Sequence, residues 1–524
     1  MKTLWHNAVF YTLQKEGHTV DALLTENGKI TKIGSYEQLK DQATQEINLQ
    51  GAFVYPGFID NHMHIIGQGE KLLRLDLSQA TSSADMMDQL MHAYKDLPED
   101  EWFIGEGWNE NNFPDRKIFT RYELDTITKS PMLLKRTCWH AAIVNSKALE
   151  LAGITKDTPD PDDGVIERDE HGEPTGLLKE GAMHRVLQLL PEPTEAYVTK
   201  ALETSVDHLL SLGLTGVVTD DLGYYGNYQT PLQAFNNVLG GKRKFRTHVL
   251  RHFSVFQQLT DEQATYNSPW VEPGEMKFFI DGAFGGSTAL LSKPYADDAE
   301  NIGTAVLTDE ELEDYVKTAR SYGEAVAIHV IGDLATEKAL DVIEKYPVPV
   351  GKKDRLIHVV LLRDDLVERM EKLPIVLDIQ PAFVPSDFPW VQERLGNDRF
   401  DWAYAWKKLL DKGFICGGGS DAPIEDPNPL LGIHAAITRR LPIEQHEGYL
   451  PEQKLSRYEA VQLFTSGAAA TIGKEHVRGC LAVGFDADFT ILAEDVFSVA
   501  VDHIPAITVV KTVVAGEIMY DVHA

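Results

Sequence analysis

The stretch Tyr55-Pro56-Gly57-Phe58-Ile59-Asp60-Asn61-His62-Met63-His64 sets two histidines two residues apart at the end of an apolar run. Side chains alternate faces along a strand, so His62 and His64 point one way and Met63 the other. Pro56-Gly57 punctuates the entry, and Phe58-Ile59 reads as a short buried strand. Two imidazoles converging from one strand can share a divalent cation, because neutral imidazole is a good ligand for zinc and its neighbours. The competing reading is a chance pair, one ring packed and one wet, and the motif alone does not decide between them.

Downstream, strand-like runs alternate with helical patterns. The runs are Thr215–Asp220, Arg246–Arg251, Met276–Asp281, Ala325–His329, Asp354–His358, Ile375–Ile379 and Gly413–Gly417. With the strand before His62 they number eight, and helices are expected over 194–212, 309–322, 335–346, 366–373 and 403–412. Eight strands alternating with helices predict an α/β protein, a (β/α)8 TIM-like barrel.

The first two strands are too far apart for an ordinary crossover, so an insertion is expected over about 70–195. It contains the apolar run Trp102–Trp108, the strand-like Pro131–Lys135, a helix near Ser146–Ala152 and a polar hairpin around Asp169–Gly172. It is expected to cap the barrel mouth and to set substrate choice. Both termini are β-rich. Ala8–Thr12, Thr19–Leu24 and Ile30–Gly34 are parted by turn residues that include Asn27-Gly28, and Ala487–Leu492 and Ile507–Val514 lie near the other end. Neither end has much core alone. Residues 1–54 and 475–524 are therefore expected to pair into a composite β-sandwich beside a barrel of residues 55–474.

Composition narrows the function. The 524 residues carry 49 basic and 80 acidic side chains, a net charge of −31, which argues against nucleic acid or an anionic membrane as partner. Cys138, Cys416 and Cys480 are widely spaced with no CxxC, which favours a reducing compartment and argues against a cysteine-bound metal. No apolar leader opens the chain and no run approaches membrane-spanning length, so a cytoplasmic protein is expected. A homodimer is expected only from the habit of barrels to pair.

Chemistry in such barrels sits where strands end. His62 and His64 end the first strand. Lys277 lies near the end of the fourth, with Asp281 just beyond. His329 ends the fifth and His358 the sixth, and Gly417-Gly418-Gly419-Ser420-Asp421-Ala422-Pro423 presents Asp421 after the eighth. Taken singly, each has a bland alternative: a packed histidine, a substrate-orienting histidine, a loop cap at Asp421, an exposed or ion-paired lysine. Together they are hard to obtain by accident.

These pieces resemble the amidohydrolase superfamily, in the branch that includes N-substituted formamide deformylases. The matching segments are Pro56–His64, Lys277–Gly282, Ile328–Asp333, Ile357-His358, Gly419–Pro423 and the tail Ala482–Phe489. The resemblance covers nearly the whole chain. It implies that His62, His64 and Asp421 hold one divalent metal; nitrogen and oxygen ligands with an open position make zinc the default, and manganese or iron can use the same ligands. It implies that His329 and His358 hold a second ion, and that Lys277 is carboxylated and bridges the two. It implies hydrolysis of an amide-type, non-peptide C–N bond of a small molecule, with Asp421 as general base and then acid. A deaminase, an esterase or a lactonase on the same scaffold is the alternative, and a non-catalytic binding protein is a more distant one.

The chain departs from the branch at two places. No arginine follows Asp281-Gly282 within a few residues, and Ile357 stands where relatives often have glutamate. Candidate substrate contacts are His140 and Trp108, with Asp281 either orienting a ligand or making a turn. Asn109 and Glu110 could line a pocket beside Trp108, though aromatics after a strand are more often core.

Overall fold

The computed structural model describes residues 2–94, 101–110, 113–136, 141–161, 164–191 and 193–523. The chain divides into two compact units, one of Met1–Gln68 with Glu195–Ala524, the other of Gly69–Thr194.

The larger unit contains an eight-stranded parallel sheet curled into a nearly closed barrel, in sequential order. Its strands are β1 (Phe58–Met63), β2 (Leu214–Thr219), β3 (Arg246–His252), β4 (Val271–Phe279), β5 (Val326–Val330), β6 (Asp354–His358), β7 (Ile375–Ile379) and β8 (Cys416–Gly418). Helices such as Glu195–Ser211, Asp309–Ser321 and Asp333–Lys345 lie between them. Every residue of β1, β2, β6 and β7 is buried, as expected for parallel strands covered on both faces.

The first and last strands meet through a short seam rather than a full ladder. The Asp421 N–H donates to the His62 carbonyl at 2.8 Å and the His64 N–H to the Ala422 carbonyl at 2.7 Å. The Asp60 carboxylate accepts from the Ser420 hydroxyl at 2.6 Å and from the Ser420 and His62 N–H groups at 3.1 Å. Gly419 permits the approach, since a Cβ there would come within 2.6 Å of the His62 nitrogen. Closing the barrel thus sets the eighth strand's aspartate against the first strand's histidines.

Strands from both ends of the chain form one seven-stranded sheet beside the barrel. Gln45–Pro56 joins them, running parallel to Lys2–Tyr11 on one side and antiparallel to Phe489–Leu492 on the other. Thr19–Glu26 and Lys29–Gly34 form a hairpin whose two-residue loop, Asn27-Gly28, has φ of 52° and 76°. Gln45–Pro56 then runs through Gly57 into β1, where a Cβ at Gly57 would meet the Thr215 hydroxyl at 2.3 Å.

The smaller unit has its own six-stranded sheet. Successive side chains alternate between two cores: Met132 and Leu134 pack with Phe103, Trp108 and Leu90, while Leu133 packs with Ala142, Leu149 and Met183. Among the described residues no helix is long and apolar enough to cross a membrane.

Candidate metal centre

His62, His64 and Asp421 place one ligand atom each within 4.8 Å of one another. Asp421 Oδ1 lies 3.5 Å from His62 Nε2 and 3.6 Å from His64 Nε2. Tetrahedral zinc, with bonds of about 2.0–2.2 Å, spaces its ligand atoms about 3.4 Å apart, so the set is ready-made for such an ion. His64 Nδ1 is 2.6 Å from the Asp220 carbonyl. A carbonyl only accepts, so Nδ1 carries the hydrogen and Nε2 keeps its lone pair for an ion. His62 Nδ1 is buried with no hydrogen-bond partner among the described residues.

His329 and His358 stand beside this group. Their ring centroids are 4.5 Å apart, and those of His62 and His358 5.6 Å. His358 Nδ1 pairs with Gln380 Oε1 at 2.9 Å, and Phe383 stacks on the ring. His329 Nε2 donates to the Gly282 carbonyl at 3.0 Å, which leaves its Nδ1 as the free ligand atom. His358, Val359 and Asp421 take left-handed backbone, with φ of 77°, 47° and 56°. For the β-branched Val359 that conformation is costly, and such strain gathers at functional sites.

Lys277 completes the group. Its side chain is 0 % exposed, its Nζ lies 3.4 Å from His62 Nε2, and no carboxylate among the described residues is within ion-pair distance. Burial lowers its pKa below the usual 10.5. Burial likewise pushes His62 and His358 well below 6.5 and His329 to about 3, holding all three neutral. Burial raises Asp421. A centre of neutral imidazoles, one carboxylate and a lysine biased toward the free amine attracts a cation, and its donors are nitrogen and oxygen, which suit zinc.

The structure therefore brings His62, His64, Lys277, His329, His358 and Asp421 together. Asp281 does something narrower. Its carboxylate accepts backbone N–H groups from Leu290 (2.9 Å), Ile331 (3.1 Å) and Gly332 (2.8 Å), tying the loop after β4 to the segment after β5. It is 3.6 Å from His329 Nε2, so it positions the segment that holds the ring. Trp108 is 1 % exposed in the core of the smaller unit and donates its indole N–H to the Leu134 carbonyl at 2.8 Å. Glu110 pairs with Arg136 at 2.8 Å. His140 lies outside the described residues.

The sequence reading did not single out Asp220, Tyr224, His252 or Gln380. Asp220 ends a recognised strand and acts on His64 through its main-chain carbonyl, which carries no sequence signature. His252 was one residue past the predicted end of β3. Gln380 follows β7 directly and could have been found by extending the strand-end rule to neutral polar residues.

A model of the amidohydrolase family matches residues 45–520. "Putative amidohydrolase YtcJ" of Bacillus subtilis is 46 % identical over 99 % of this chain and 100 % of its own length. An N-substituted formamide deformylase of Arthrobacter pascens is 25 % identical over 98 % of this chain and 97 % of its own. Among solved structures, an uncharacterized metal-dependent hydrolase from Pyrococcus furiosus superposes with a TM-score of 0.80 at 28 % identity, covering 95 % of this chain and 100 % of that one.

Proposed function

Since the chain belongs to the amidohydrolase family and is a metal-dependent hydrolase, we propose that it cleaves an amide-type, non-peptide C–N bond in a small molecule. The observation that carries this reading is the convergence of His62, His64 and Asp421 beside a buried Lys277 that has no carboxylate within ion-pair distance among the described residues. In the proposal those three residues hold a divalent ion, with zinc the default for their nitrogen and oxygen donors. His329 Nδ1 and His358 Nε2 hold a second. Lys277 would react as the free amine with carbon dioxide, its nitrogen bonding to the carbon and releasing one proton to water, and the carbamate would supply the negative charge that the imidazoles lack.

An ion held by these residues would lower the pKa of water and draw electron density from an acyl oxygen. Asp421, whose Oδ1 stands between the two β1 histidines, accepts the proton released when water attacks the acyl carbon. It then returns that proton to the departing nitrogen, serving first as base and then as acid. The full-length similarity to an N-substituted formamide deformylase supports a C–N bond next to an acyl group, with a nitrogen substituent of the substrate's own.

The test is elemental analysis of the purified protein, with hydrolysis of N-aryl formamides, acetanilides, aryl esters and lactones measured before and after chelation. Amide cleavage that disappears with the ion and returns with added zinc is expected. Turnover of esters or lactones alone moves the reading to an esterase or lactonase, and ammonia release moves it to a deaminase. Full activity without metal ends it.

A further inference from the structure

The third barrel strand ends in a histidine that the scheme above leaves without a task. His252 is buried at the last position of β3 and caps the helix Phe253–Asp261. Its Nδ1 accepts the Ser254 backbone N–H at 3.4 Å and lies 2.7 Å from the Ser254 hydroxyl. A backbone N–H can only donate, so Nδ1 carries the lone pair and the neutral ring carries its hydrogen on Nε2. Burial lowers the ring's pKa and keeps it neutral. Among the described residues Nε2 has no hydrogen-bond acceptor. The tautomer is thus fixed with its donor unspent.

The surroundings place that donor beside the centre. Side chains two apart on a strand share a face, so His252 stands one step above Leu250, which packs inside the barrel with Val218, Ala327 and Ile357. The ring packs against Tyr224 at 5.0 Å and Phe279 at 6.1 Å. Tyr224 in turn touches His64 (5.6 Å), and Phe279 touches His329 (5.3 Å) and lies 4.4 Å from Lys277 Nζ. Tyr224 is held by its hydroxyl, which donates to Asp220 at 2.9 Å. Room for the imidazole comes from Gly223, where a Cβ would sit 2.3 Å from Nδ1 and 2.4 Å from Cγ. His252 therefore bridges the two halves of the centre while ligating in neither.

We propose that His252 is a substrate-binding residue whose Nε2–H donates a hydrogen bond to the acyl oxygen. This rests on the hydrolase reading above. When the water oxygen bonds to the acyl carbon, the carbonyl π pair moves onto that oxygen and the bond from Nε2–H strengthens. When the C–N bond breaks, the pair returns to the carbonyl and the leaving nitrogen takes its proton from Asp421. The proton of His252 stays on Nε2 throughout. The group selects compounds that present an acceptor oxygen on the carbon under attack.

Two variants separate the donor from the helix cap. His252→Asn places an amide oxygen where Nδ1 was, so it keeps the cap and loses the distal donor. His252→Gln reaches the Nε2 position with an N–H. Both are compared with wild type on whichever acyl compound of the panel above wild type turns over fastest. His252→Asn is expected to keep its metal content and melting temperature while kcat falls about 10²–10³-fold, the usual cost of one such donor. His252→Gln is expected to recover about tenfold of that loss. A His252→Asn enzyme with kcat within about twofold of wild type overturns the inference, as does a loss that tracks loss of metal. Failure of wild type on every acyl compound removes the hydrolase reading and this inference with it, whereas an active wild type indifferent to His252 removes only the inference.

Discussion

The interior of the barrel holds two polar layers with opposite designs. Between them lies an apolar ring of Val218, Leu250, Ala327 and Ile357. In the layer below, charges answer one another. Arg355 contacts Asp378 at 2.6 Å and Glu275 at 3.5 Å, Glu275 contacts His248 at 2.9 Å, and Asp378 also accepts from Asn61. In the layer above, burial keeps His62, His329 and His358 neutral, and among the described residues Lys277 has no carboxylate within ion-pair distance. Buried charge that serves the fold finds its partners within the chain. The upper layer withholds them, which is how a site reserves binding energy for an ion and a substrate.

Substitutions should divide accordingly. The largest effect is expected from Asp421→Asn, which removes both a ligand and the proton carrier. Turnover should fall by about 10²–10⁴-fold with little change in melting temperature, and steady-state kinetics beside calorimetry would reveal any mixing of the two roles. Arg355→Met should do the reverse. Left behind in the interior, Asp378 costs about 3–5 kcal/mol of stability, while turnover per folded molecule stays near wild type. A stable Arg355→Met protein without metal would merge the two layers into one site.

Gln380→Leu removes the partner of His358 Nδ1 and should weaken metal retention by about 10–100-fold in a chelator competition. The smallest effect concerns pH. Burial alone would raise the pKa of Glu275, but the charges of Arg355 and His248 outweigh it and hold the carboxyl well below 4.5. A depressed acid contributes stability that is complete above its unfolded value of 4.5 and is lost as pH falls below it. Metal-free Glu275→Gln should therefore lose less stability than metal-free wild type between neutral pH and the acid side of 4.5. Equal losses would show that the lower layer's pairing is not what acid breaks.

Several of these features can be read along the chain. His62, His64 and Met63 obey simple alternation, and Met63 is fully buried on the opposite side. All eight strands overlap runs whose apolar content and turn signals announce them, although β4 begins at Val271, five residues before its run, and β2, β3, β5 and β8 each reach one residue beyond theirs. The Asn27-Gly28 loop follows from its residue types alone. Other features escape a linear reading. Alternation along β6 would put His358 opposite Ile357 and away from the interior, yet the left-handed turn at His358 and Val359 swings the ring to the centre. The run read as ending at Arg251 continues one residue, and that residue is His252. Trp108 follows the same pattern as a pocket residue but is packed core, because an indole that finds a carbonyl acceptor is content to be buried.

The chain by itself determined the alternating barrel, the strand-end positions of six chemistry-bearing side chains and the kinship of the two β-rich termini, because periodicity and turn chemistry are local properties. Only the tertiary structure decided which of those side chains are neutral, which stand without a partner and which tautomer His64 and His252 adopt. Those properties depend on burial and on backbone groups such as the Asp220 carbonyl and the Ser254 N–H, which are brought into place by the closing of the barrel and by the helix that follows β3.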